Sequence, residues 1–213
     1  ISIANIISHF TFLSGLNPYW MNSILGIEWS IGVEMIFYLF IPFLARNIKN
    51  TNHALKLFLG SIFIIVPINY ILEKMNIVGT KDLWDMWDNF LFLYFPNQFP
   101  VFVLGIILYF IIIKNDIKFN KWYLIPLISV FLFGFKNGRF WIYTVAIFFS
   151  LLVFIISKSN IKIIVNRLFI FIGKISYSIY LTHIILLDLL IKYIKPVGVE
   201  MQNIFYFLMY FLY

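Results

Sequence analysis

The stretch Glu28-Trp29-Ser30-Ile31-Gly32-Val33-Glu34-Met35-Ile36-Phe37-Tyr38-Leu39-Phe40-Ile41-Pro42-Phe43-Leu44-Ala45, closed by Arg46, decides how the rest of the chain is read. Between Trp29 and Ala45 the one charge is Glu34. The run is close to the roughly 20 residues that cross a bilayer as a helix. Working outward, similar apolar runs occupy about 55–72, 89–113, 122–135, 140–157 and 168–191, and another starts near Met201. The expected fold class is all-α, a polytopic transmembrane helical bundle of about six complete spans plus a truncated seventh. With no repeat in evidence, 1–213 reads as one domain.

Composition supports this reading. Of the 213 residues 62% are hydrophobic and 12% charged, and mean hydropathy is +0.95. A soluble globule of this length would lack the polar residues to cover its surface. Soluble, disordered and nucleic-acid-binding classes are excluded. The +7 net charge sits in short loops between apolar runs, where basic residues orient membrane proteins. Cysteine is absent, so neither a disulfide framework nor a thiolate metal site is open to this chain.

Residues 1–26 read as the tail of an earlier span with a loop or interfacial helix, marked by the turn Gly15-Leu16-Asn17-Pro18. The chain opens with Ile1 and stops inside the apolar run 204–213, as a fragment cut at both ends would. Lys outnumbers Arg 13 to 3, a bias that suits an AT-rich bacterial genome. Arg46, Lys49 and Lys56, then Lys114, Lys118 and Lys121, then Lys158, Lys162 and Arg167 make three basic segments. By the positive-inside rule 46–56, 114–121 and 158–167 are cytoplasmic, whereas the acidic 73–88 lies outside. Loop 136–139, with Lys136 and Arg139, runs against that pattern. Trp84, Trp87, Trp122 and Trp141 fall at span edges, as an interfacial belt requires. Pro67, Pro96 and Pro100 are kink sites, tolerated where neighbours satisfy the freed carbonyls.

Glu34 needs a reason, because a carboxylate at that depth costs on the order of 3 kcal/mol unless it faces a cavity or partner. Ser30, Glu34, Phe37, Tyr38 and Ile41 follow helical spacing, which puts Ser30 and Glu34 on one face with Tyr38 nearby. That face is either a polar clamp between helices or the lining of a substrate cavity. Ser176, Tyr180 and His183 share a stripe of the last full span, with Tyr177 and Asp188 on the next. His183 is either a packing residue or a group that holds a hydroxyl or moves a proton. His9 and His53 read as structural, and three histidines are too few for a metal site. Alternating Trp and Asp over 82–88 fit an interfacial anchor better than a sugar platform.

Three segments together resemble the acyltransferase 3 family of bacterial integral-membrane O-acyltransferases. Glu28 to Pro42 is similar to its W-S-L-S-V-E-E-Q-F-Y-L-x-x-P signature. Gly173-Lys174-Ile175-Ser176-Tyr177-Ser178-Ile179-Tyr180-Leu181-Thr182-His183 is similar to its G-x-I-S-Y-S-L-Y-L-W-H signature. Between them, Phe95 to Gly105 is similar to a weaker segment ending in F-x-x-G. The resemblance covers about 20–213 and implies a partial acyltransferase 3 domain in a bacterial inner membrane. It implies transfer of an acyl group, often acetyl, from acyl-CoA to a hydroxyl of an envelope glycan or similar acceptor. The lipid bilayer is the remaining partner; no bound cofactor and no nucleic acid are implied.

The family's catalytic His lies in its first helix, ten residues after an Arg, and none of this chain's histidines has that setting. The fragment alone is accordingly expected to be inactive, and no catalytic residue is assigned within it. Ser30, Glu34, Tyr38, Ser176, Tyr177, Tyr180 and His183 become the substrate-pocket candidates. Met35 and Thr182 depart from the usual Glu and Trp. The rival reading is a segment of a lipid-linked sugar transporter, flippase or polymerase, which shares the composition but not the three ordered signatures.

Overall fold

The computed structural model describes residues 2–24, 28–75, 84–118, 120–136, 138–159 and 166–193. The chain divides into two compact units, Ile1–Ile161 and Lys162–Tyr213. In the first, a short helix α1 (Ile3–Phe10) precedes α2 (Trp29–Asn47), α3 (Thr51–Met75), α4 (Trp84–Leu93) and α5 (Phe95–Leu108). One wide π turn, Tyr109–Ile113, extends α5, and α6 (Leu124–Lys136) and α7 (Trp141–Lys158) follow. No strand occurs among the described residues.

Among the described residues, four helical segments are long and apolar enough to cross a membrane: Trp29–Asn47, Thr51–Met75, Met86–Ile113 and Trp141–Lys158. Their outer surfaces confirm that reading, since Leu39 on α2 is 78% exposed and Phe63 on α3 is 81% exposed. In water such surfaces would mark an aggregating protein; in lipid they are the solvated face. α5 is the central element, with α2, α3 and α7 packed around it. Phe37 of α2 stacks on Phe102 of α5 with ring centroids 4.3 Å apart. Phe58, Val103, Leu104 and Ile147 continue the core.

The expected spans of this unit are adjusted in two places. The run 89–113 is not one straight helix: the chain leaves helical geometry at Tyr94, whose ψ is 153°. The cause is Pro96, which has no N–H to give the carbonyl of Phe92 four residues back. The fourth run forms a helix of 13 residues, roughly 20 Å at 1.5 Å per residue and shorter than a bilayer core. α6 meets α7 closely at Gly134, where a Cβ would lie 2.5 Å from Thr144 Oγ1 and 2.6 Å from the carbonyl oxygen of Phe140. A side chain of any size is excluded there.

The ends of the helices agree with the loop charges. Thr51, the first residue of α3, donates its N–H to Asp116 Oδ2 (2.8 Å) and its hydroxyl to the Asp116 carbonyl (2.7 Å). Asn52 Nδ2 donates to the Lys118 carbonyl at 3.3 Å, and Asn52 Oδ1 accepts from the Asn120 N–H at 2.9 Å. Two of the basic segments, 46–56 and 114–121, thus meet at one end of the bundle. Trp122 and Trp141 are exposed at helix ends as a belt requires. Trp87 is not: it is buried, stacks on Phe90 and donates its indole N–H to the Leu72 carbonyl at 3.2 Å. Of the Trp–Asp run 82–88, residues 84–88 begin α4, which meets α3, and Asp88 is exposed; Asp82, Leu83 and the side chains of Trp84 and Asp85 lie outside the described residues.

In the second unit α8 (Arg167–Tyr193) is one continuous helix. Asn166 Oδ1 accepts from the Phe169 N–H at 3.0 Å, a side-chain cap at its start. At 27 residues it is roughly 40 Å long, enough for a bilayer core. The seventh run, from Met201, lies outside the described residues.

Candidate functional site

At the start of α2 the preceding segment wraps back over the helix. Gly32 permits this, because its missing Cβ would stand 3.3 Å from the Phe12 carbonyl oxygen. Phe12 itself turns the chain with a φ of 60°. Beneath this wrap lies a polar cluster that residue types alone did not single out. Asn5 and Ser23 exchange side-chain hydrogen bonds of 2.9 and 3.2 Å. Ser8 donates its hydroxyl to the Asn5 carbonyl at 2.6 Å.

His9 completes the cluster. Its Nδ1 donates to the Asn5 carbonyl oxygen at 2.9 Å, since a carbonyl oxygen only accepts. Its Nε2 then faces Glu28 Oε1 at 3.2 Å, a hydrogen bond that requires a proton between the two atoms, whichever partner carries it. The Ile24 N–H donates to the same carboxylate oxygen at 2.8 Å. Both ring nitrogens are engaged, so this geometry makes His9 a brace between α1 and α2 rather than a base open to substrate.

One turn and a half along α2 lies Glu34. Tyr38 donates its hydroxyl to Glu34 Oε1, and the two stand on one stripe with Ser30. Their neighbours Val33 and Phe37 are buried against the bundle, while Glu34 and Ser30 are half-buried and Tyr38 is exposed. The expected helical stripe therefore splits: Phe37 belongs to the packed face, and Ser30, Glu34 and Tyr38 to the less covered one. From Glu28 to Glu34 is roughly 9 Å along the axis at 1.5 Å per residue.

A second polar group lies inside the bundle, where α3, α4, α5 and α7 meet. Asn69 and Asn97 are fully buried, and Asn69 Nδ2 donates to Asn97 Oδ1 at 2.9 Å. Tyr94 donates its hydroxyl to Asn69 Oδ1. Tyr143 donates to Asn97 Oδ1 at 2.8 Å. Asn97 Nδ2 and Gln98 Nε2 both donate to the Phe92 carbonyl at 2.8 Å. That carbonyl is the one Pro96 leaves without a backbone donor, so side chains supply what the proline removes. Sequence reasoning passed over Asn69, Tyr94 and Tyr143. The available signal was polar residues within apolar runs, each of which demands a partner in lipid.

In α8, Ser176, Tyr180 and His183 fall on one stripe of the continuous helix. Ser176 donates its hydroxyl to the Gly173 carbonyl at 2.8 Å. His183 Nδ1 donates to the Tyr180 carbonyl, and the two rings lie 5.6 Å apart. In a neutral ring this leaves Nε2 as the accepting nitrogen. Tyr177 occupies the neighbouring stripe. Among the described residues no cluster of His, Asp and Glu able to hold a metal ion is found.

Residues 2–213 match the model of a family described as an acyltransferase domain. No curated protein and no solved structure matches the chain.

Proposed function

The chain belongs to this acyltransferase family, a multi-pass membrane protein by its apolar helices, and from that premise we propose a specific reaction. The protein moves an acyl group, acetyl in the first instance, from acyl-CoA to a hydroxyl of a cell-envelope glycan in a bacterial inner membrane. The acceptor oxygen attacks the thioester carbonyl as its proton passes to a general base. The carbon–sulfur bond then breaks, the CoA thiolate leaves and takes up a proton, and an oxygen ester remains. By the resemblance, the base is the family's histidine set ten residues after an arginine, a setting that none of His9, His53 and His183 has.

The observation that carries this reading is the Ser30–Glu34–Tyr38 stripe of α2. A carboxylate held by a tyrosine at membrane depth, beside a packed aromatic face, is an expensive arrangement with a use in orienting a hydroxyl or a cationic group. Glu34 accepts from the acceptor hydroxyl or holds a catalytic arginine, and Ser30 adds a second polar contact one turn away. Tyr177, Tyr180 and His183 on α8 are further candidates to bind substrate.

The test is transfer of radiolabelled acetyl from acetyl-CoA to glycan in vesicles holding the protein with all its native helices. Glu34→Gln should lower transfer by about 100-fold, within the usual range for a group that positions or exchanges a proton, with membrane yield unchanged. Unchanged transfer by Glu34→Gln would remove Glu34 from the site.

A further inference from the structure

The inner end of the first unit holds a partly open cavity that the reaction does not use. It has a volume of about 230 Å³ and lies between α3, α5, α6 and α7. Leu104, Ile107, Leu127, Ile147 and Phe154 contribute walls that are almost wholly hydrocarbon. Of its hydroxyl-bearing residues, Thr51 spends its hydroxyl on the Asp116 carbonyl. An apolar cavity of roughly 150 Å³ already holds a benzene ring. This larger one suits a length of hydrocarbon chain and offers nothing to a polar solute.

The rim of the cavity has the opposite character. Ile117 lines the cavity and Lys118 is its neighbour; Tyr123 lines it two residues after Lys121. Ile111 lines it three residues before Lys114, and Phe154 one helical turn before Lys158. All four lysines are exposed. The one acid of this rim, Asp116, holds the start of α3 through the Thr51 N–H. Trp122, 74% exposed, stands between Lys121 and Tyr123 as an indole at headgroup level would. Apolar walls flanked in sequence by four exposed lysines, at the end that the loop charges place in the cytoplasm, complement an amphiphile with an anionic head.

We propose that this cavity is a binding site for one anionic phospholipid of the inner leaflet, an acyl chain between α5, α6 and α7 and its phosphate among Lys114, Lys118, Lys121 and Lys158. A membrane-resident chain reaches such walls from the side, without crossing water. The site is separate from the Ser30–Glu34–Tyr38 stripe and does not depend on acyl transfer.

The test is native mass spectrometry of the full chain from nanodiscs of mixed phosphatidylglycerol and phosphatidylcholine. Wild type should retain one phosphatidylglycerol, preferred over phosphatidylcholine about tenfold. Replacing the four lysines together by Gln, all on exposed positions, should bring that preference to near unity. Ser150→Phe, which fills the cavity from α7, should abolish retention of either lipid while leaving helical circular dichroism unchanged. Equal retention of both lipids by wild type would overturn the proposal. Full retention by Ser150→Phe would also overturn it. So would displacement of phosphatidylglycerol by an equimolar long-chain acyl-CoA, which would make the cavity a donor site.

Discussion

Replacing Asn97 by Leu is the sharpest perturbation the bundle offers. Asn97 is fully buried, and its side chain serves Asn69, Tyr143 and the Phe92 carbonyl at once. Leucine keeps the approximate volume and removes every polar atom. The Asn69 amide then loses its acceptor, the Tyr143 hydroxyl keeps only the backbone carbonyl of residue 97 at 3.2 Å, and the Phe92 carbonyl keeps only Gln98. A buried donor without a partner costs about 1–3 kcal/mol, so one stranded amide plus one weakened hydroxyl bond put the loss near 2–3 kcal/mol. Tyr143→Phe removes one donor and leaves Asn97 Oδ1 bonded to Asn69, so its cost should be about 1 kcal/mol, in line with single hydrogen bonds between membrane helices. Unfolding in mixed micelles by rising mole fraction of a denaturing detergent, followed by tryptophan fluorescence, measures both. A loss below about 0.5 kcal/mol for Asn97→Leu, the range of a bland surface change, would refute the reasoning. So would equal losses for the two variants.

Other consequences are local. Gly134→Ala should destabilise the α6–α7 pair by about 1–3 kcal/mol, the usual cost of overpacking, because its Cβ meets a backbone oxygen that cannot swing aside; the same unfolding assay reads it. Asp116→Ala frees the Thr51 N–H at the start of α3 and should cost about 1 kcal/mol, as lost caps do. It should also speed proteolytic nicking within 114–121. His9→Ala breaks the brace to Glu28 and Asn5, and a loss of about 1.4 kcal/mol there would raise cleavage within residues 2–24 roughly tenfold. Unchanged cleavage would show that the Asn5–Ser23 pair holds the segment without it.

The helices were legible because lipid imposes one demand: long apolar runs must be helical to satisfy their backbone. The run 28–45 became Trp29–Asn47 and the run 168–191 became Arg167–Tyr193, each within a few residues. The basic loops 46–56 and 114–121 were assigned one side, and the Thr51–Asp116 contacts bring them together. The break at Tyr94 was less legible. Pro96 announced a missing donor, but whether the chain bends or breaks depends on where Asn97 and Gln98 point. Trp87 looked interfacial because tryptophans at span edges usually are, yet the Leu72 carbonyl and Phe90 give it a better place inside. Asn69 and Tyr143 are far apart in sequence, and a lone polar residue says that it needs a partner without saying which. Glu34 was legible as an anomaly from its depth alone, and its bond to Tyr38 follows the four-residue spacing of a helix face.

The central claim is acyl transfer from a thioester to a hydroxyl, and its most direct test couples the two products. Vesicles holding the protein with all its native helices and its glycan would be supplied with acetyl-CoA, and free CoA thiol measured alongside alkali-labile acetyl on the glycan. The account predicts that one thiol appears for each ester. Glycan carried across the membrane with neither product formed would contradict it and place the chain among transporters.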